Sequence, residues 1–186
     1  MSLQRTQVIG LVYNTNKTSG ETMTLPDREF LLERLDQTRS KIEDLLPRVD
    51  STKEIYPGWT IKDMLAHITG WDDATIDSLR AHTAGRHPLT PADQGIDEYN
   101  SRTVTSRIPL DYKHILDEWR LTRQVLRTII EQMPDDKFVE PLIVPWGPKA
   151  TVTFLVETFR DHEEEHAHDI REWLNHPDEP LTKKGN

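Results

Sequence analysis

Four long stretches of this sequence space their apolar residues three and four positions apart, and this spacing constrains the fold more than any other feature. The stretches begin near Asp27, Thr60, Asp111 and Thr151. Spacing of this kind places the apolar side chains on one stripe of an α-helix. Almost no segment alternates apolar and polar residues as a half-buried strand would. The sequence therefore predicts an all-α fold, a four-helix bundle.

The connections between the predicted helices are rich in proline and glycine. Thr60, with Asp63 three residues later, is a typical start signal for helix two. Residues 84–95 contain two glycines and two prolines and predict a loop, and residues 96–107 can form a short polar helix after it. We therefore expect a long crossover between helices two and three. A second broken segment around Trp146 predicts a loop or short hairpin before helix four.

The length of 186 residues is sufficient for one domain with its own core. Residues 1–22 are polar and contain only a short strand-like patch, so we expect an N-terminal extension, and Met23 is an alternative start. The helical domain is predicted to occupy residues 23–176, followed by a C-terminal tail over residues 177–186.

Composition excludes several classes of partner. The formal net charge is -9, and the 23 basic residues are scattered among 32 acidic ones. A chain with no basic stripe is not expected to bind nucleic acid. No window is apolar enough to span a membrane, so we expect a cytoplasmic protein. There is no cysteine, which excludes disulfides, thiolate ligands and a cysteine nucleophile. Any thiol chemistry would require an external low-molecular-weight thiol.

Three histidines occupy positions that the helical pattern assigns to the core. His162 and His166 lie on the apolar stripe of helix four, and their i, i+4 spacing places both rings on one face. His67 lies on helix two, one turn from Met64 and one turn from Trp71. A single histidine of this kind is more often a core residue paired with a carboxylate. Three together favour a shared divalent ion, because one ion uses all three lone pairs.

A ligand set of three imidazoles without a thiolate resembles a catalytic zinc site, in which water or substrate takes the fourth position. Ligand type alone does not choose the metal. We expect one divalent ion, with zinc or nickel first and iron or manganese as alternatives.

The segment from His162 to His166 also matches the zincin peptidase motif H-E-x-x-H, with Glu163 as the general base. The context argues against a peptidase, because the downstream glycine and histidine of a metzincin are replaced by Asp169 and Glu172. Acidic runs such as residues 161–165 are more often solvated faces than sets of bases. Glu163 is retained as a candidate catalytic base.

The run from Trp59 to Trp71, together with His162-x-x-x-His166 much later, resembles the DinB-like superfamily. Trp146-Gly147 and the Ile170 to Trp173 segment are similar to features of its ClbS/DfsB branch. The resemblance implies a four-helix bundle with up-down-down-up topology. It also implies a metal bound by His67, His162 and His166. The superfamily includes thiol-dependent isomerases and transferases, and resistance proteins that act on electrophilic small molecules.

Two functions follow from these observations. The first is a metal-dependent enzyme that acts on a small electrophilic molecule, either by hydrolysis or by thiol transfer. The alternative is a non-catalytic stress protein that binds a metal or sequesters a ligand. A homodimer is a further expectation.

Overall fold

The computed structural model describes residues 28–182, and within this range an all-α architecture is confirmed. The predicted extension over residues 1–22 lies outside the described residues. In chain order the elements are α1 (Arg28–Leu45), a 3-10 turn (Leu46–Arg48), β1 (Glu54–Tyr56), β2 (Trp59–Thr60), α2 (Ile61–Thr83), α3 (Ile96–Arg107), α4 (Tyr112–Gln132), α5 (Asp135–Val139), β3 (Leu142–Ile143), β4 (Lys149–Ala150) and α6 (Val152–Trp173). The four long helices α1, α2, α4 and α6 form the bundle.

The helix directions follow from contacts between the helices. Arg34 pairs with Glu157, and Lys41, two turns further along α1, pairs with Glu164 two turns further along α6, so α1 and α6 are parallel. Ion pairs between α1 and α4 run in the opposite sense. The buried apolar residues near the start of α2 and near the start of α4 belong to one cluster, and those further along both helices belong to the other, so α2 and α4 are parallel. The topology is therefore up-down-down-up, as the resemblance to the DinB-like superfamily implies.

The core consists of two apolar clusters separated by a charged layer. One cluster surrounds the first turns of α2, and the other surrounds its second half. Each long helix carries a buried charged residue close to the level at which it passes from one cluster to the other. These residues are Arg39, Asp72, Arg123 and Glu163. We refer to them below as the charged layer.

The connections agree with the predicted turns and add detail. The hydroxyl and backbone nitrogen of Thr60 both donate to Asp63, which completes a capping box at the start of α2. The predicted polar helix in the crossover is α3. It packs closely on α2 because Gly70 has no side chain, since a Cβ there would lie 2.6 Å from the Cβ of Thr103. The segment before α6 forms the β3–β4 hairpin, and Trp146 lies in its turn.

Two local features differ from the sequence-based expectation. The apolar spacing of the first stretch includes Phe30 and so predicts that this residue is buried, but Phe30 is 49% exposed, because residue 30 lies off the helix face defined by Leu31, Leu35 and Ile42. The short helix α5 was not predicted, since its five residues are too few to show a period. In the predicted tail, the backbone nitrogen of Leu181 donates to the carbonyl of Ile55 at 2.7 Å, so this segment returns to β1.

The length and apolar character of the helices bear on the expectation that no segment spans a membrane. Within residues 28–182, no helix combines the length and the apolar character needed to cross a bilayer.

Candidate metal centre

Helix α2 contributes His67 to the space between α2 and α6. The capping box fixes the start of this helix, and its apolar face then places Met64, His67, Ile68 and Trp71 toward the bundle. The side chain of His67 is 5% exposed. The ring of Trp59 lies 5.4 Å from the His67 ring and covers it on the side of the β1–β2 hairpin.

Helix α6 contributes the other two imidazoles. His162 and His166 follow the buried Phe159 on the inward stripe and are both partly buried. The Nε2 atom of His162 lies 3.0 Å from Nε2 of His67 and 3.1 Å from Nε2 of His166. All three ligand nitrogens lie within 4.8 Å of one another. The three residues predicted from the sequence are therefore brought together in one cluster, which we call the histidine cluster.

The chemistry of the histidine cluster fits a divalent ion. Two imidazole nitrogens bound to one zinc ion at ~2.0–2.1 Å in tetrahedral geometry lie about 3.3 Å apart. Both distances from His162 are close to this value. Direct hydrogen bonding accounts for the arrangement less well, because the Nε2 of a neutral imidazole carries either one proton or one lone pair. His162 Nε2 can therefore satisfy only one of its two neighbours, whereas an ion between the rings satisfies all three.

The protonation state of His162 suits metal binding. Burial lowers the pKa of this ring to about 4, and the more distant charges of Asp72 and Arg123 act in opposite directions. The imidazole is therefore neutral at pH 7, with a lone pair available for a ligand bond.

Two residues beside His166 were not identified from the sequence. The hydroxyl of Tyr56 donates to the carboxylate of Asp169, and the hydroxyl oxygen lies 3.5 Å from Nδ1 of His166. Burial first, and then the hydrogen bond to Asp169, raise the pKa of the Tyr56 hydroxyl above its usual value. The spacing of Asp169, three residues after His166, is a signal in the sequence, but a tyrosine 110 residues away is not.

Glu163 belongs to the charged layer and is 1% exposed. Its Oε1 lies 2.6 Å from Nη2 of Arg39 and 2.9 Å from Nη2 of Arg123. Its Oε2 accepts a hydrogen bond from the hydroxyl of Thr38. Both oxygens are therefore held by groups from α1 and α4. A general base needs a lone pair directed at the reacting proton, so this arrangement does not favour the catalytic role predicted for Glu163.

The outer face of α6 carries the remaining acidic residues of this run. Asp161, Glu164, Glu165 and His168 line an open surface depression of about 430 Å³. His168 is exposed, because it lies off the helix stripe that carries His162 and His166. The acidic run therefore forms a solvated face, except for Glu163.

Residues 31–171 match the family described as the mycothiol maleylpyruvate isomerase N-terminal domain. This range includes nearly all of the four bundle helices and all three members of the histidine cluster. The chain belongs to this family. The family and its structural neighbours are part of the DinB-like superfamily that the sequence resembles. The finer similarity to the ClbS/DfsB branch stays a prediction.

Solved structures show the same fold at low sequence identity. A crystal structure of the mycothiol-dependent maleylpyruvate isomerase superposes with a TM-score of 0.65 at 16% identity, covering 78% of this chain and 61% of the isomerase. An uncharacterised protein from Escherichia coli UTI89 superposes with a TM-score of 0.66 at 15% identity, covering 83% of this chain and 96% of that protein. No curated protein matches the sequence significantly. The match to the maleylpyruvate isomerase means that the present chain spans less than two thirds of the length of that protein.

Proposed function

We propose that this chain is a metal-dependent enzyme that transfers a low-molecular-weight thiol to a small electrophilic molecule, with His67, His162 and His166 as the metal ligands. The convergence of one ligand nitrogen from each of the three histidines within 4.8 Å is the observation that carries this proposal. In the described part of the chain, the cluster consists of these three residues alone. A three-histidine set leaves a position for an exogenous ligand, which is typical of catalytic rather than structural zinc sites.

The side chains of the cluster have defined tasks in this proposal. The bundle holds the three imidazoles on α2 and α6, so that the ligand geometry is set before the metal binds. Trp59 covers His67 on one side and reduces the access of water. A divalent ion bound by these residues would act as a Lewis acid and would lower the pKa of a thiol toward neutrality. We propose zinc or nickel for this role, with iron or manganese as alternatives.

An external thiol is favoured over a residue of this chain as the nucleophile. The sequence contains no cysteine, so sulfur chemistry requires a cosubstrate. The family description and the name of the structural neighbour both refer to mycothiol. We therefore propose mycothiol or a thiol of similar size as the cosubstrate, and an unsaturated or otherwise electrophilic small molecule as the acceptor. Hydrolysis, with water in place of the thiol, is the second reaction to test.

A non-catalytic metal-binding or ligand-sequestering protein is the alternative. In this alternative the three histidines of the cluster serve metal binding or stability alone, without catalysis.

Cobalt-substituted protein tests whether the site accepts an exogenous ligand. The protein is titrated with azide and with a low-molecular-weight thiol while the visible ligand-field bands are recorded. We expect both ligands to shift the bands, because each can occupy the open position. The same protein, loaded with zinc or nickel, is then assayed for thiol-dependent consumption of a panel of electrophiles that includes maleylpyruvate.

His168→Ala is the matched control for these assays, since His168 is an exposed histidine on the same helix. We expect it to behave as the unmodified protein, whereas His162→Ala loses both the cobalt bands and turnover. An unchanged spectrum at millimolar azide and thiol would refute the enzyme proposal. Spectral changes without turnover of any electrophile would favour the binding protein.

A further inference from the structure

Tyr56 is placed beside the histidine cluster by the hairpin that precedes α2. It ends β1, and the chain reverses at Gly58, whose positive φ of 78° suits glycine, before β2 leads into the helix. The tyrosine ring is 7% exposed and packs in the apolar cluster around the start of α2. Its hydroxyl therefore reaches α6 from a rigid position.

The two nitrogens of His166 face different groups. Nε2 points into the histidine cluster, 3.1 Å from Nε2 of His162. Nδ1 points to the hydroxyl oxygen of Tyr56 at a distance of 3.5 Å. The same hydroxyl donates its proton to Asp169, one turn further along α6.

The direction of these contacts determines where the proton of His166 lies. Because the Tyr56 hydroxyl uses its only proton on Asp169, its oxygen can interact with the imidazole only as an acceptor. Nδ1 of a neutral His166 must therefore carry the N–H, which leaves the lone pair on Nε2. Outer partners of this kind commonly fix the tautomer and ring orientation of metal-binding histidines.

We propose that Tyr56 and Asp169 are positioning residues, which form a relay from His166 through the tyrosine hydroxyl to the carboxylate and direct the Nε2 lone pair into the histidine cluster. This proposal rests on the metal centre proposed above. It adds two residues that touch neither the ion nor a substrate, and it assigns them a task that can be measured in the metal-free protein.

The tautomer of His166 is the first readout. Long-range ¹H–¹⁵N correlation spectra of the metal-free protein distinguish Nδ1–H from Nε2–H imidazoles, and His166→Gln assigns the signals. We expect the Nδ1–H form in the unmodified protein. In Tyr56→Phe the ring packing is retained but the acceptor is lost, so the Nε2–H form should become populated.

Metal affinity is the second readout, measured by competition with a chromophoric chelator at constant pH. We expect Tyr56→Phe and Asp169→Ala to bind zinc about 10–100-fold more weakly, in line with the loss of an outer partner. Asp169→Asn should recover part of the affinity, because the amide oxygen can still accept from the tyrosine. Tyr112→Phe is the matched control, since Tyr112 is a partly buried tyrosine that packs against the same apolar cluster.

The two readouts separate this relay from the metal centre itself. If the unmodified protein binds no metal but Tyr56→Phe changes the tautomer, the relay is supported and the metal centre is refuted. If the protein binds metal, and Tyr56→Phe changes neither the tautomer nor the affinity relative to Tyr112→Phe, the relay is refuted and the metal centre stands. A loss of affinity in Asp169→Ala that Asn does not relieve at all would also contradict it.

Discussion

Replacement of Glu163 by Gln should destabilise the fold far more than the same change at its neighbour Glu164. The two residues are adjacent on α6, but Glu163 is 1% exposed and contacts two arginines, whereas Glu164 is half-exposed and pairs only with the exposed Lys41. Glutamine has nearly the same shape as glutamate, so the substitution changes charge without creating a cavity. The comparison therefore isolates the buried charge.

The magnitude follows from the charge balance of the charged layer. Asp72 Oδ2 lies 2.8 Å from Arg39 Nη2, and Asp72 Oδ1 lies 3.2 Å from Arg123 Nη2, so two carboxylates balance two guanidiniums. Glu163→Gln leaves one buried positive charge uncompensated, which typically costs about 3–5 kcal/mol. Loss of an exposed pair, as in Glu164→Gln, costs ~0–1 kcal/mol.

Urea unfolding of the metal-free variants at pH 7, followed by far-UV circular dichroism, measures the difference. We expect the unfolding free energy of Glu163→Gln to lie at least about 2 kcal/mol below that of Glu164→Gln. The double variant with Arg123→Met should recover part of the loss, because it restores neutrality with an apolar side chain of similar length. Equal stability of the two single variants would refute the inference that Glu163 is an essential counter-ion.

Two further predictions concern activity and pH. The protein should cleave neither casein nor a peptide library, because the carboxylate in the zincin position is held by two arginines; metal-dependent cleavage that is lost in Glu163→Gln would show that the peptidase interpretation is correct. The metal-free protein should lose stability as the pH falls from about 6.5 toward 4. Burial lowers the pKa of His162 to about 4 in the folded state. Between these two pH values the unfolded chain therefore binds a proton at His162 that the folded state does not bind. Urea unfolding at pH 7, 6 and 5 tests this, and an equally steep loss in His162→Gln would contradict it.

The four-helix fold and the placement of His162 and His166 on one helix face were predictable because both depend on local periodicity. The apolar stripes locate the four long helices, and the stripe of α6 contains His162 and His166 at helical spacing. The Thr60 and Asp63 pair marked the start of α2 correctly. The partnership of His67 with α6 is a long-range contact, and it came from the resemblance to the DinB-like superfamily together with the shared apolar position.

The charged layer was missed although its signal is present in the sequence. Arg39, Asp72, Arg123 and Glu163 each occupy a position on the inward stripe of their helix, four residues after a buried apolar residue. Periodicity identifies such a residue as inward-facing. It does not identify the partner on another helix, because the pairing depends on how the four helices are shifted along their axes relative to one another. The pairing of Tyr56 with His166 could not be predicted from periodicity either, because it depends on where the β1–β2 hairpin places the tyrosine relative to α6.

Metal analysis of protein purified without a histidine tag tests the central claim most directly. Each variant is loaded with zinc, freed of weakly bound ions by a chelating resin, and measured by atomic absorption together with its protein concentration. We predict one ion per chain in the unmodified protein and in the exposed-histidine control His168→Ala. His67→Ala, His162→Ala and His166→Ala should retain far less than one ion while their circular dichroism stays helical, since the apolar stripes carry most of the fold. Metal content that is unchanged in all three variants would contradict the account.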